Sequence, residues 1–261
     1  MAIVLEARGL NKSFGAVAAA SDINVAVEQD AVVGLIGSNG AGKTTFINMV
    51  TGYLKPSSGT ITFGGRDITS LSPRQVTRLG ICRSFQIPQL FNTLSVYENL
   101  LVGVGIVVSG GKEWSRASDH AGTPADAVDG ILERFNLMEY RDKLAGVLPE
   151  GIRKLLDIAM AMVVKPEILL LDEPTSGVSA DEKFSLMDMV MEAVRAQKVT
   201  VLFVEHDMEI ISRYTQRVLA FYEGRIIADG LPAVVLGDTE VRKYVTGETL
   251  HRESGAHHVA H

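Results

Sequence analysis

Alternation of apolar and polar positions opens the chain. Residues 3–10 and 22–28 change side at every residue, which predicts strands of a sheet with one wet face. "AVVGLIG" (31–37) is apolar throughout, the pattern of a strand buried on both faces, and it runs into a glycine-rich turn. The period then lengthens: "KTTFINMVTG" (43–52) has the spacing of a helix. "SSGTITFGGRDI" (57–68) predicts a hairpin turning at Gly64-Gly65. A short helix is expected over 73–79 and a further strand over 79–86.

After Gln86 the strand signal stops. Residues 87–162 carry helical periodicity around a polar stretch, "SGGKEWSRASDHAGTPAD" (109–126), which reads as a loop. We take 87–162 as a helical insert. Apolar strands return at "EILLLDE" (167–173), "KVTVLFVEH" (198–206) and "RVLAFYEGRIIADG" (217–230), with a helix over about 181–197. Apolar strands alternating with helices predict a parallel sheet covered on both faces. The expected division is an α/β core over 1–86 and 163–235, which includes an antiparallel β subdomain. The helical subdomain is 87–162, a C-terminal helix covers 236–250, and "HRESGAHHVAH" (251–261) is a flexible polar tail.

Composition narrows the class. The chain has 261 residues, enough for a sizeable core. Apolar residues make up 46% and charged residues 21%, an ordinary globular balance. Net charge is −6 with no basic stripe, so no nucleic-acid partner is expected. One cysteine, Cys82, excludes an internal disulfide framework and suits a reducing compartment. We read it as a small half-buried residue, with a catalytic thiol as the alternative. Glu6 and Arg8 interrupt the apolar start, unlike a signal peptide. The longest apolar stretch, "LLVGVGIVV" (100–108), is too short for a bilayer span of about 20 residues. Any membrane role is therefore expected to come through a partner.

The chemistry begins at "GSNGAGKTT" (37–45), which fits G-x-x-x-x-G-K-[ST] between a predicted strand and a predicted helix. The motif predicts a P-loop nucleotide hydrolase with a mixed or parallel sheet core. Gly37, Gly40 and Gly42 let the backbone bend, so that N–H groups of Ser38, Asn39, Gly40, Ala41 and Gly42 approach phosphate oxygens. The helix N-terminus adds positive potential. Lys43 is expected on the β- and γ-phosphates, Thr44 on Mg²⁺ and Thr45 on the α-phosphate of ATP. "ILLLDEP" (168–174) ends in paired carboxylates: Asp172 for Mg²⁺ and Glu173 for the attacking water. His206 ends the next apolar strand, where a parallel sheet presents ligand-binding groups, and is expected to sense the γ-phosphate. Gln86, at the entrance to the helical insert, is placed to feel Mg²⁺ and the attacking water. Phe14 can stack on adenine, with a core aromatic as the alternative.

The order Phe14, GSNGAGKTT, Gln86, LPEGI, ILLLDEP, SGVSADE, His206 resembles the ATP-binding subunit of an ABC transporter, over residues 3 to about 247. The resemblance implies an ATPase with two subunits sandwiching two ATPs. Each ATP lies between the loop of one subunit and the signature helix of the other. "GICRSFQIPQLFNTLSVYENLLVG" and "VEHDMEIISRYTQRVLAFYEGRIIADG" are similar to importers of branched-chain amino acids, amides and urea. This implies permease subunits, a solute-binding protein and a place on the cytoplasmic face of the membrane. Docking on the permease is expected around "IPQLFNTLSVYENL" (87–100).

At the signature position the family usually shows Leu-Ser-Gly-Gly-Gln, and this chain has "LPEGI" (148–152). Pro149 has neither a hydroxyl nor an N–H. Glu150 sets a negative charge beside a polyanion, a cost of about 1 to 4 kcal/mol at partial screening unless a cation intervenes or the side chain turns away. The chain's own hydrolytic residues are intact. A heterodimer with one strong and one weakened site is therefore expected. Ser179 stands where the family often has Asp or Asn, a further departure in communication between sites. Two other readings compete: a soluble ABC ATPase acting on nucleic acid or ribosomes, and a nucleotide-binding subunit that does not hydrolyse.

Overall fold

The computed structural model describes residues 2–84, 86, 88–109 and 123–246, with side chains at 106–109 and 246 excepted. The expected tail, most of the loop over 109–126 and the end of the expected C-terminal helix lie outside the described residues.

Strands β1 (Ile3–Phe14) and β2 (Val17–Glu28) pair antiparallel across a turn at Gly15, and extend beyond the alternating stretches. The added residues, "NKSF" (11–14) and "VAAAS" (17–21), are mostly small or polar and lack a clean period. Pairing carries them into the ladder through several register shifts. Strand β4 (Ser58–Phe63) joins the other edge of β1, and β5 (Arg66–Asp67) follows after Gly64-Gly65 as expected.

The second sheet has the order β10-β9-β3-β8-β7-β6. Strands β3 (Val32–Gly37), β6 (Ile81–Arg83), β7 (Ile168–Asp172), β8 (Thr200–Val204) and β9 (Arg217–Tyr222) run parallel. β10 (Arg225–Gly230) runs antiparallel on β9. The stretch 217–230, expected as one strand, is thus a hairpin turning at Glu223-Gly224. The strand expected over 79–86 shrinks to β6, because helix α2 (Pro73–Leu79) precedes it and ends at Gly80. β3, β7 and β8 are buried at every residue, which explains their unbroken apolar runs.

Alternate residues of this sheet build two cores. Val33, Leu35, Leu170, Leu202 and Phe221 pack with helix α1 (Lys43–Val50) and the antiparallel sheet. Val32, Ile36, Leu169, Leu171 and Phe203 pack against helices on the other face. Those helices are α3 (Val96–Ser109), α4 (Pro124–Arg134), α5 (Glu150–Met162), α6 (Lys183–Ala196) and α7 (Met208–Tyr214). Residues 124–126, read as loop, start α4. Thr123 Oγ1 accepts from the Asp126 N–H, and the Asp126 carboxylate accepts from the Thr123 N–H at 2.6 Å. "TPAD" is a capping box with proline in the first turn, a start signal hidden inside a polar stretch. α8 (Pro232–Gly237) is followed by a separate turn at Thr239–Val241 capped by Asp238, and by Arg242–Thr246. Among the described residues no helix is long and apolar enough to cross a membrane.

Candidate nucleotide site

The loop leaves the buried end of β3 and enters α1 at Lys43. It is pressed between neighbouring backbone on both sides. A Cβ on Gly37 would lie 2.6 Å from the Phe221 carbonyl oxygen, and one on Gly42 (φ 108°) 2.8 Å from that of Ala19. Only glycine fits either position. Gly224 N donates to Ala41 O (2.9 Å) and Ser21 N to Gly224 O (2.8 Å), so the β9–β10 turn clamps the loop. Ser38, Asn39 and Gly40 face solvent, as does Thr44, while Thr45 is half-buried. Lys43 is buried, and its ammonium donates to the carbonyls of Gly37 (2.6 Å) and Ser38 (3.1 Å). Burial lowers its pKa, and the charges of Glu173 and Asp172 work the other way. Phe14 ends β1 with 53% of its surface exposed and Lys12 Nζ 5.3 Å from its ring centroid. It is not a core aromatic.

Asp172 ends β7 and is buried. Glu173 follows with φ 50°, a left-handed backbone rare outside glycine and costly by about 1–3 kcal/mol. Gln86 Nε2 donates to its Oε2 at 2.7 Å, and His206 Nε2 lies 3.1 Å from its Oε1. Three residues far apart in sequence thus meet on one carboxylate. His206 is held from both sides. Buried Glu205 accepts from the His206 N–H (3.1 Å) and from Thr175 N (2.9 Å) and Oγ1 (2.6 Å). Asp207 caps α7 through the Glu209 and Ile210 N–H groups and pairs with Lys183.

Sequence reasoning missed Glu205 and two cations. Arg83, on β6, forms an ion pair with Asp172 and donates to Asn48 Oδ1 at 2.6 Å. Its only sequence signal is its place three residues before Gln86. Lys154, in α5, is buried and donates to the Glu173 carbonyl at 2.8 Å.

At "LPEGI", Pro149 is the residue before α5 and Glu150 its first. The segment after Glu173 packs here: the Cβ position of Gly151 is 3.7 Å from Val178 Cγ1, and that of Gly177 is 3.5 Å from Glu150 Cγ. The base of the Glu150 side chain thus packs beside Gly177, with the residue exposed. Ser179 Oγ donates to Glu182 Oε2 (2.8 Å), and Ser179 O accepts from the N–H groups of Glu182 (3.1 Å) and Lys183 (3.0 Å), closing the turn into α6.

The donors near the loop are hard oxygens: the Thr44 hydroxyl, the Asp172 carboxylate and the Gln86 amide. They suit Mg²⁺ shared with phosphates and water. Among the described residues no group of three His, Cys, Asp or Glu forms a self-sufficient metal cage. That Asp172 already carries a cation, the Arg83 guanidinium, shows a carboxylate set up for positive charge.

A glycine loop at a helix start, beside strand-end carboxylates on a parallel sheet, defines a P-loop nucleoside triphosphate hydrolase. The ABC transporter family matches residues 20–176, and the chain belongs to it as an ATP-binding subunit. The chain is 34% identical to the high-affinity branched-chain amino acid transport ATP-binding protein LivG of Salmonella typhimurium, over 94% of this chain and 98% of that one. It is 33% identical to BraF of Pseudomonas aeruginosa, of the same description, with the same coverage. Among solved structures, an ATP-binding cassette of an ABC transporter in its ADP conformation superposes with a TM-score of 0.82 at 31% identity, covering 95% of this chain and all of that one. CbiO1 of Clostridium perfringens, part of an ABC transporter complex, gives 0.79 at 30%, covering 93% and 94%.

Proposed function

We propose that this chain is the ATP-hydrolysing subunit of an importer for a small solute of the branched-chain amino acid, amide or urea class. The relatives named for branched-chain amino acid transport support the solute class. The observation that carries hydrolysis is Glu173, with Gln86 on one oxygen and His206 on the other.

The loop N–H groups and Lys43 bind the phosphates, and exposed Phe14 meets the adenine. Thr44, Asp172 and Gln86 would hold Mg²⁺, which when bound would neutralise charge on the phosphates. Glu173 accepts a hydrogen bond from the attacking water and aligns it with the γ-phosphate. His206 orients that carboxylate and follows the γ-phosphate. Lys43 is buried beside the loop carbonyls, where a charge–charge contact with the developing negative charge is little screened by water.

The partners are a second ATP-binding subunit, permease subunits and, through them, a solute-binding protein. A cleft of about 270 Å³ lies between the end of α1, α3 and α5, lined by Tyr53, Cys82, Gln89, Asp157 and Met160 among others. A cytoplasmic helix of the permease fits this cleft, flanked by exposed Tyr53 and Phe91. That docking puts the chain on the cytoplasmic face of the membrane. A heterodimer is favoured because Pro149 offers neither hydroxyl nor N–H to a neighbour's nucleotide. The test is solute uptake by vesicles carrying the whole transporter. ATP-driven uptake that Glu173→Gln abolishes is expected. A chain that hydrolyses ATP but never associates with the permease would overturn the reading.

A further inference from the structure

Among the described residues two lysines are buried, Lys43 and Lys154. Lys43 belongs to the phosphate loop. Lys154 sits in α5, one turn beyond Glu150, and has no part in the chemistry outlined above. Burying an ammonium is costly unless it is paired and hydrogen-bonded, so its partners report what it is for.

Those partners join two half-sites. The ammonium donates to the Glu173 carbonyl at 2.8 Å. Burial lowers its pKa, and the carboxylates of Glu150, Glu205, Glu173 and Asp157 oppose that, Glu150 foremost. Glu150 precedes Lys154 by four residues on the same helix face, close enough for their charges to interact though not paired. Glu150 also lies over Gly177, in the segment that follows Glu173.

We propose that Lys154 is a positioning residue that couples the start of α5, the end offered to the neighbouring subunit's nucleotide, to this chain's own Glu173. This rests on reading α5 as the signature helix. Two effects follow from the geometry. Lys154 sets a positive charge one helical turn from Glu150, without an ion pair between them. It also pins the peptide after Glu173, whose backbone is held in the left-handed region, and so fixes where the carboxylate points. A shift of α5 on contact with the neighbour's nucleotide then moves the hydrogen bond that sets Glu173.

The test uses Lys154→Met and Lys154→Arg in the full chain, in two settings. In the purified chain, ATP binding and amide hydrogen exchange are measured. Lys154→Met is expected to leave ATP affinity within about twofold while exchange over 173–178 rises about fivefold or more. In the whole transporter, kcat is expected to fall about tenfold or more with KM little changed, the mark of a misplaced catalytic group. Lys154→Arg restores most of both. Glu150→Gln added to Lys154→Met recovers part of kcat, because it removes the uncompensated charge. Unchanged exchange and unchanged kcat in a folded Lys154→Met chain would overturn the proposal, as would a double variant no better than the single one. Should Lys154→Met not fold, Lys154→Gln keeps a donor without the charge and is read the same way. Failure of the wild-type chain to bind ATP would instead strike the proposed function itself.

Discussion

Glu173 has Gln86 on one carboxylate oxygen, His206 on the other, and Lys154 on its own carbonyl. A residue so held keeps its direction when the charge around it changes. Replacing it with Gln keeps the shape and removes the base. Turnover of the assembled transporter is expected to fall by about 10²–10⁴-fold, with ATP binding retained, as equilibrium binding and steady-state kinetics would show. Arg83 makes a separate prediction. Its guanidinium neutralises Asp172, the carboxylate expected to serve Mg²⁺. In Arg83→Leu the Asp172 charge is uncompensated until a divalent cation arrives. The chain's thermal stability is expected to become more dependent on Mg²⁺ concentration than that of the wild type. Calorimetry across a Mg²⁺ titration checks this, and parallel curves would contradict it.

At the scale of elements, the turn between β8 and α7 places His206. Burial works against ionisation of Asp207, but the Lys183 ammonium and the N–H groups of Glu209 and Ile210 outweigh it, so its pKa is lowered. A lowered carboxylate pKa means stability that is full above the ordinary value near 3.8 and lost as pH falls through the folded value. Asp207→Ala is expected to cost about 1 kcal/mol through loss of the cap, or about 2–4 °C in Tm. The difference from wild type should narrow in strong acid. The same scale shows what could be read from sequence. The phosphate loop, β7 and the Gly64-Gly65 hairpin were legible because each is written in consecutive residues. Gln86 and His206 stood out as polar residues just past apolar strands, although β6 ends at Arg83 and only the folded chain brings both onto one carboxylate. Lys154 was not, because a lysine inside "IRKLLDIAMAMVV" looks like part of a solvated face. Glu205 and Arg83 were missed for a related reason. Each is a charge in or beside an apolar strand, and only sheet packing shows what it meets: Asp172 for Arg83, Thr175 and the His206 N–H for Glu205. The 217–230 hairpin was missed because Glu223-Gly224 is a weaker turn signal than a glycine pair.

In the proposed reading the whole molecule carries two unequal half-sites. Its loop and carboxylates are complete. The start of α5 offers Pro149 and Glu150, with Lys154 one turn further on. Nothing inside the chain replaces the missing hydroxyl and N–H of Pro149. Pro149→Ser is thus expected to raise the chain's tendency to dimerise with MgATP in a Glu173→Gln background, read by light scattering, more than Glu150→Gly does. Saturating MgATP should stabilise the monomer itself, by about 2.7 kcal/mol at a hundredfold excess over Kd.

The most direct measurement is MgATP turnover by the purified chain alone, with nucleotide binding followed in the same samples. The account predicts bound ATP and turnover near background until a partner subunit supplies an intact signature helix. Robust turnover by the chain alone, abolished by Glu173→Gln, would contradict it. "LPEGI" would then complete a site in a homodimer.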